Sequence, residues 1–373
     1  MIGTHMKIAL LYDLWNEDPV AAAAKEEPAN GNADGGAGSR RGGSRKTRKV
    51  IKKVKKEKTD REEIVEALQK LGHETSHVEL DGRPQSLHTL AKCDADLIFN
   101  LTESFDGDDT KEMNVVAYVE LLGLHYTGAG PHAIFLSQDK AVAKKIFAFH
   151  GIRTPFFATS YRGRIEHAHD ISFPLIVKPA WEDGSIGIDA GAVVTNVREM
   201  MQRIEYIQDE FDSPALIEEY IEGREIYAGV LGSYDNAQVL PLVELDLSRL
   251  PEGTPKIASY DVKFEKNTEA YKLTKSAIAE NLDEATTKRL SDTAVAAYRA
   301  LKLRDYGRID MRLAPNGDVY VIEANPNPWL ASRQEFAMAA KAAGLSYTEM
   351  IGRIVDLAMS RYLNSTLANA ATR

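Results

Sequence analysis

Two short alternating segments near the C-terminal end constrain this chain more than any other feature. Residues 308–313 (RIDMRL) and 319–324 (VYVIEA) each read as a strand, and the link between them is Ala-Pro-Asn-Gly-Asp. Asn-Gly is a strong hairpin signal, because both residues accept the left-handed backbone of a tight turn. A two-residue turn at Asn316 and Gly317 pairs Pro315 with Asp318, so Asp310 faces Glu323 and Arg308 faces Asn325. Side chains alternate along a strand, so these four residues share one face and Ile309, Met311, Ile322 and Ala324 share the other. Opposed carboxylates repel unless a cation lies between them, and hard oxygens in that arrangement suit Mg²⁺ with positions left for phosphate. The rigid Asn325-Pro-Asn-Pro328 turn ends the strand where the ligands stop. An ordinary strand face on which Arg308 simply pairs with Asp310 remains the alternative.

The 373 residues, 44% apolar and 27% charged, suffice for two or three packed units of a soluble globular protein. No apolar stretch approaches the ~20 residues needed to span a bilayer. The start has no secretory pattern, so the expected location is the cytoplasm, with no membrane partner. The single Cys93 excludes a disulfide framework and a cysteine-based zinc cluster. The opening Met-Ile-Gly-Thr-His-Met reads as a tag remnant ahead of a native start at Met6. The net charge of −9 is uneven: residues 40–58 hold eleven Lys or Arg against Glu57 alone, after a Gly/Ala/Ser/Asn-rich stretch at 26–43. That run has no interleaved aromatics and reads as a solvated insertion, disordered over about 17–60, whose second half extends the next helix; nucleic acid is not the expected partner.

Lys7–Asp13 reads as a buried strand, residues 64–71 as an amphipathic helix, 95–101 as a second buried strand, and the segment through Val115, Val119 and Leu122 as a helix. This alternation predicts an open α/β unit with a parallel sheet. A helix at 138–150, a strand at 173–179, β-rich segments at 215–221, 226–231 and 239–245, a polar stretch at 259–281 and a helix at 284–303 follow. The last helix opens with a capping box, Ser346 and Glu349. Lys178 leaves an apolar run beside Asp183-Gly-Ser-Ile-Gly187, where backbone N–H groups and the Ser185 hydroxyl could hold phosphates; a snorkelling lysine before a plain turn is the alternative. Glu218 and Glu225 bracket a strand-loop-strand and could bind adenine and ribose, or be surface acids.

In order, residues 122–128 (LGLHYTG), 138–140 (QDK), 176–179 (IVKP), 183–187, 216–225 (LIEEYIEGRE), 259–263 (SYDVK), 307–310 (GRID) and 323–328 (EANPNP) resemble the D-alanine-D-alanine ligase branch of the ATP-grasp superfamily, over about residues 97–362. The resemblance implies an α/β (α+β) ATP-grasp fold of three domains, with an N-terminal open α/β sheet and ATP held between two antiparallel sheets. The expected divisions are 6–130, a central lid unit at 131–217 and a catalytic unit at 218–362. It further implies ATP with Mg²⁺, two ions, a role also open to Mn²⁺. Lys140 and Lys178 would contact phosphates, Glu218 and Glu225 adenine and ribose, and Asp310, Glu323 and Asn325 the metal. Lys263 would come from a loop closing over the phosphates, Ser185 would assist in the phosphate loop, and Arg308 would stabilise the oxyanion of a tetrahedral intermediate. The implied reaction joins a carboxylate to an amine through an acyl phosphate, with amino-acid or peptide substrates and a homodimeric enzyme.

Several positions depart from the family pattern. The turn after the first strand is Asp13-Leu-Trp-Asn-Glu-Asp18, in place of a His-Gly-Gly turn with the Ser and Glu that hold the first D-alanine. Trp329 replaces a glycine at the acceptor site, Gln334 and Glu335 replace a Ser and a Leu, and Gly184 replaces the first of two serines. With Trp329 and Gln334 as candidate substrate contacts, the expected substrate pair differs from two D-alanines. True D-alanine-D-alanine ligation is one alternative. A silent ATP-grasp scaffold that binds nucleic acid or a partner through its basic insertion is another.

Overall fold

The computed structural model describes residues 5–14, 58–167, 170 and 172–371, so most of the basic insertion and the leader before His5 lie outside the described residues. Three sheets organise the chain. The first is parallel, in the order β2-β1-β3, from β1 (Lys7–Asp13), β2 (Glu74–Leu80) and β3 (Leu97–Asn100). Ile8, Ala9, Leu10 and Leu11 are all fully buried, which is why β1 reads as a continuous apolar run; alternate residues enter two different cores. The helix Asp60–Lys70 starts on a Thr59/Glu62 capping box and lies against the C-terminal helix Tyr347–Ala371.

The second sheet, in the order β5-β4-β8-β6-β7, is antiparallel and comprises β4 (Phe157–Tyr161), β5 (Arg164–His167), β6 (Leu175–Pro179), β7 (Val193–Val194) and β8 (Ala215–Glu219). Leu175, Val177, Ala215 and Ile217 pack on Ile204 and Ile207 of the helix Val197–Phe211. The period of two therefore sends Lys178 and Glu218 to the opposite face. The third sheet runs β12-β11-β9-β13-β14, with β10 paired to β9; its strands are β9 (Arg224–Leu231), β10 (Gln238–Val239), β11 (Val243–Asp246), β12 (Lys275–Ile278), β13 (Tyr306–Leu313) and β14 (Val319–Asn325). Ile226, Ala228, Val230, Ile309 and Met311 share a core with Leu290, Ala294 and Ala297 of the helix Glu284–Ala300. The chain passes from the second sheet to the third at residues 220–223.

The hairpin differs from its expected form in two ways that cancel. Ala314 and Asp318 close the turn through the Ala314 N–H, leaving a three-residue loop in which Gly317 takes a φ of 85°, so Leu313 pairs with Val319. A bulge between Asp310 and Met311 then inserts one residue on β14, restoring Asp310 opposite Glu323 and Arg308 opposite Asn325. Val321, fully buried, takes the core position expected of Ile322, which is only half-buried. Other expected elements are cut by their own residues. The 138–150 helix divides at Asp139, whose side chain caps the second part, Lys140–Phe149. Pro241 lies between β10 and β11, and the polar stretch at 259–281 holds two short helices and β12.

At the entry to β9, Gly223 has a φ of 148°, and a Cβ there would lie 2.2 Å from the Leu313 carbonyl oxygen. Gly223→Ala is expected to cost about 2 kcal/mol or more, because both the backbone conformation and the close approach require glycine. A denaturation midpoint equal to that of the parent would refute this.

Candidate active site

The polar face of the third sheet carries the four hairpin residues together. Asp310 is 1% exposed, and both its oxygens accept from Arg308, from Nε at 2.7 Å and Nη2 at 2.8 Å. Arg308 also lies 3.9 Å from Glu335 and 4.9 Å above the centre of the Tyr227 ring. The Arg308–Asp310 pair considered from sequence thus exists, but in the protein interior. Burial, only partly countered by Arg308 and reinforced by Glu323, pushes the Asp310 carboxyl up to about 6. Burial acts on Glu323 in the same direction, yet Lys140, Lys263, Lys178 and Arg308 together hold it down at about 2. The side-chain amide of Asn325 is buried with its Nδ2 unpartnered. Amide nitrogen and oxygen are interchangeable on geometry alone. With the amide rotated, a free oxygen stands beside two carboxylates, a donor set that suits a hard divalent cation.

Three lysines reach Glu323 from three separate elements. Lys140 opens the helix Lys140–Phe149, is nearly buried, and donates from Nζ to the Glu182 carbonyl. Lys178 on β6, 3% exposed, pairs with Glu218 at 2.7 Å. Lys263 ends a short helix with Nζ 5.9 Å from the centre of the Tyr227 ring. Glu218 is 1% exposed, and its second oxygen pairs with Lys144, a residue missed from sequence although it stands one helical turn after Lys140. Lys144 Nζ also donates to Thr154 Oγ1 at 2.7 Å. Burial pushes the Lys144 ammonium down to about 8, against the attraction of Glu218. For Lys178 burial acts likewise, but Glu218, Glu323 and Glu225 outweigh it and raise the group. Glu218 itself is lowered, since the two ammonium groups overcome its burial.

The phosphate-loop candidate has positive φ at Gly184, Ser185 and Gly187. Gly187 is obligatory, because a Cβ would lie 2.7 Å from the Pro179 ring. Ser185 Oγ donates to the Ala258 carbonyl at 2.8 Å, and the Tyr260 N–H donates to Ile188 at 2.9 Å, so the segment bearing Lys263 is tied down over this loop. Glu225 pairs with Arg312 at 2.7 Å, and Arg312 also donates to the Gly223 and Lys256 carbonyls. Trp329 is half exposed, its indole N–H donating to Asp60 at 3.0 Å. Gln334 caps the helix Glu335–Ala342 without a side-chain hydrogen bond to it. Glu335, noted in the sequence only as a departure, accepts from Ser276 at 2.8 Å beside Arg308. Among the described residues, no three His, Cys, Asp or Glu are grouped closely enough to hold a metal, so the candidate set needs the Asn325 amide. Among them, too, no helix is long and apolar enough to cross a membrane.

A family model described as the D-ala D-ala ligase C-terminus matches residues 148–356, more than half of the chain. An uncharacterised protein of Sinorhizobium fredii is 34% identical over 308 residues, covering 81% of this chain and 88% of that protein. A D-alanine–D-alanine ligase of Bordetella petrii is 33% identical over 278 residues, covering 74% and 80%. In fold, the crystal structure of the Bacillus anthracis D-alanine–D-alanine ligase complexed with ATP is similar, with a TM-score of 0.69 at 21% identity, covering 97% of this chain and 99% of that one.

The shared carboxylate gives a stability test. Glu218→Leu leaves two buried ammonium groups without their counter-charge and is expected to cost about 3–5 kcal/mol. Lys144→Met, which keeps Lys178 on Glu218, should cost far less. The Lys144 group is depressed to about 8 in the folded protein from 10.5. Between those values the unfolded chain therefore binds more protons, and stability contributed at this site rises with pH. Denaturant midpoints from pH 7.5 to 10 should show the parent gaining on Lys144→Met; parallel profiles would contradict the assignment.

Proposed function

The chain belongs to the D-alanine–D-alanine ligase family of the ATP-grasp superfamily, enzymes that form C–N bonds with ATP, and we propose that it joins a carboxylate to an amine other than the D-alanine pair through an acyl phosphate. The observation that carries this reading is the convergence of Lys140, Lys178 and Lys263, with Arg308, on Glu323 beside Asp310 and Asn325. Such a ring of cations around a carboxylate pair is matched to a polyphosphate with its metal.

In this reading Asp310, Glu323 and Asn325 would hold Mg²⁺, which would supply charge neutralisation at the transferring phosphoryl group. Lys140 and Lys178 bind phosphate oxygens, and Glu218 orients Lys178 and Lys144. Contact between Glu218 and adenine would require a lysine to move aside, whereas Glu225, buried and paired with Arg312, takes the ribose. The segment carrying Lys263 and the Ser185 loop together exclude water from an intermediate that water would hydrolyse. The substrate carboxylate oxygen attacks the γ-phosphorus and ADP leaves. The amine nitrogen then attacks the acyl carbon, phosphate leaves, and the amine loses its proton. Arg308, freed from one arm of its pair with Asp310, stabilises the oxyanion.

Support for a different substrate pair comes from Trp329, which places an indole tied to Asp60 where a small residue would let a carboxylate approach the backbone. We further take the three sheets as the cores of N-terminal, lid and catalytic units acting in the cytoplasm, the second and third enclosing ATP.

Release of ADP and phosphate, scanned over pooled amino acids, D-alanine and small peptides, tests the reading. Pool-dependent release that is abolished by EDTA and restored by Mg²⁺ is expected. Asp310→Ala and Glu323→Ala should each lower kcat at least about a hundredfold with the fold intact. Retained turnover in both would sink the metal assignment, and a response to D-alanine alone would return the chain to D-alanine–D-alanine ligation.

A further inference from the structure

Arg308 is held by one carboxylate and faced by a second. Asp310 accepts from its Nε at 2.7 Å and from its Nη2 at 2.8 Å, one on each oxygen. The remaining nitrogen, Nη1, lies 3.9 Å from Oε2 of Glu335. That gap is too long for a hydrogen bond, and closing it by about 1 Å makes a charge-assisted one. In the proposed Mg²⁺ site both oxygens of Asp310 are already engaged by a cation, so a divalent ion there meets a like charge a few ångströms away. Resting on that metal assignment, we propose that Glu335 is a positioning residue, which receives the Arg308 guanidinium when Asp310 is given over to the metal.

The surroundings of Glu335 suit it to that role. It opens the helix Glu335–Ala342, where the first-turn N–H groups favour a negative charge. Ser276 Oγ of β12 donates to its Oε1 at 2.8 Å, which fixes the carboxylate and leaves Oε2 toward Arg308. Burial opposes its charge, but Arg308, its own N–H, Ser276 and Lys263 outweigh burial and hold the carboxyl below the usual range. Tyr227 stands opposite Asp310 on β9, with its ring centre 4.9 Å from the guanidinium carbon. A ring face attracts a cation without fixing its direction in the plane. The guanidinium can therefore pivot between the two carboxylates while it stays on the ring. The pivot frees the Nη2 N–H groups for the oxyanion.

Two other roles for Glu335 fit these contacts less well. A third carboxylate on the metal would have to be grouped with Asp310 and Glu323, and among the described residues no three such side chains are so grouped. A purely structural tie would need only the oxygen that accepts from Ser276, and no charge toward Arg308. The device belongs to this chain: Glu335 stands where the family pattern has a leucine, which could not accept a guanidinium.

The test is isothermal titration of the full chain with a non-hydrolysable ATP analogue, in EDTA and in saturating Mg²⁺. The ratio of the two affinities is the tightening that the metal confers. In Glu335→Gln, which keeps an acceptor for Ser276, that ratio should fall about fivefold or more, while affinity in EDTA stays at least that of the parent. Glu335→Asp keeps the charge but withdraws it by one methylene, and should lower the ratio about threefold or more. In an Arg308→Met background, Glu335→Gln should change the ratio by less than about twofold, because no guanidinium is left to receive. Should Arg308→Met not fold, the Glu335→Asp comparison decides alone. A ratio unchanged in Glu335→Gln or in Glu335→Asp would overturn the inference. So would a fall that survives without Arg308, which would mean that Glu335 acts directly on the metal or on Lys263, or an equal weakening in EDTA and Mg²⁺. A parent that Mg²⁺ does not tighten would overturn the metal assignment as well, so the two failures are told apart.

Discussion

Charge placed beyond the reach of water must be balanced locally, and the facing sides of the second and third sheets are built under that constraint. Each sheet turns one face to an apolar core and the other to the cleft, where Glu218, Lys178, Asp310 and Glu323 are buried or nearly so. An isolated ion in such a place is costly. Three of the buried carboxylates are paired: Glu218 with Lys144 and Lys178 on two other elements, Asp310 with Arg308 on its own strand, and Glu225 with Arg312 on the neighbouring strand. Lys140, Lys178 and Lys263, from three separate elements, together with Arg308, hold the carboxyl of Glu323 low despite its burial.

The same constraint explains the contrast across the cleft. On the third sheet, opposite charges interleave and the carboxyl of Glu323 is held low. At the end of the parallel sheet, like charges gather and Glu103 and Asp109 are held high. Ligands of open α/β sheets collect at the carboxyl ends of the strands, where loops rather than strands set the chemistry. Asp13 and the segment after β3 occupy that edge. Hydrogen bonds from Asn327 to Thr102, Trp329 to Asp60 and Ser332 to Glu63 fasten the exit of the β13–β14 hairpin to the parallel-sheet unit.

Local rules of sequence reach as far as one hairpin or one helix turn. Alternation in RIDMRL and VYVIEA was enough to put Arg308, Asp310, Glu323 and Asn325 on one face, because side-chain direction depends only on strand period and register. Even there the register held for a reason the sequence did not expose. The loop is one residue longer than Asn-Gly suggested, and a bulge at Ile322 restores the pairing. The capping box at Ser346 and Glu349 and the buried strand at Ile8–Leu11 were equally legible, since capping and full burial each leave a mark on consecutive residues.

What only the tertiary structure decided lies between residues far apart in the chain. Lys144 meets Glu218 across 74 positions, Glu335 reaches Arg308 from a helix after the proline turn, and Asp13 receives the Glu103 N–H across 90. Nothing in the neighbourhood of Lys144 or Glu112 marks either as special, because the energy of a buried charge depends on what the fold brings within a few ångströms of it. Sequence alone therefore fixed the fold family, the polar strand face and the identity of its metal-ligand candidates. Which charges are balanced and which stand unpaired was settled only when three sheets closed on one cleft.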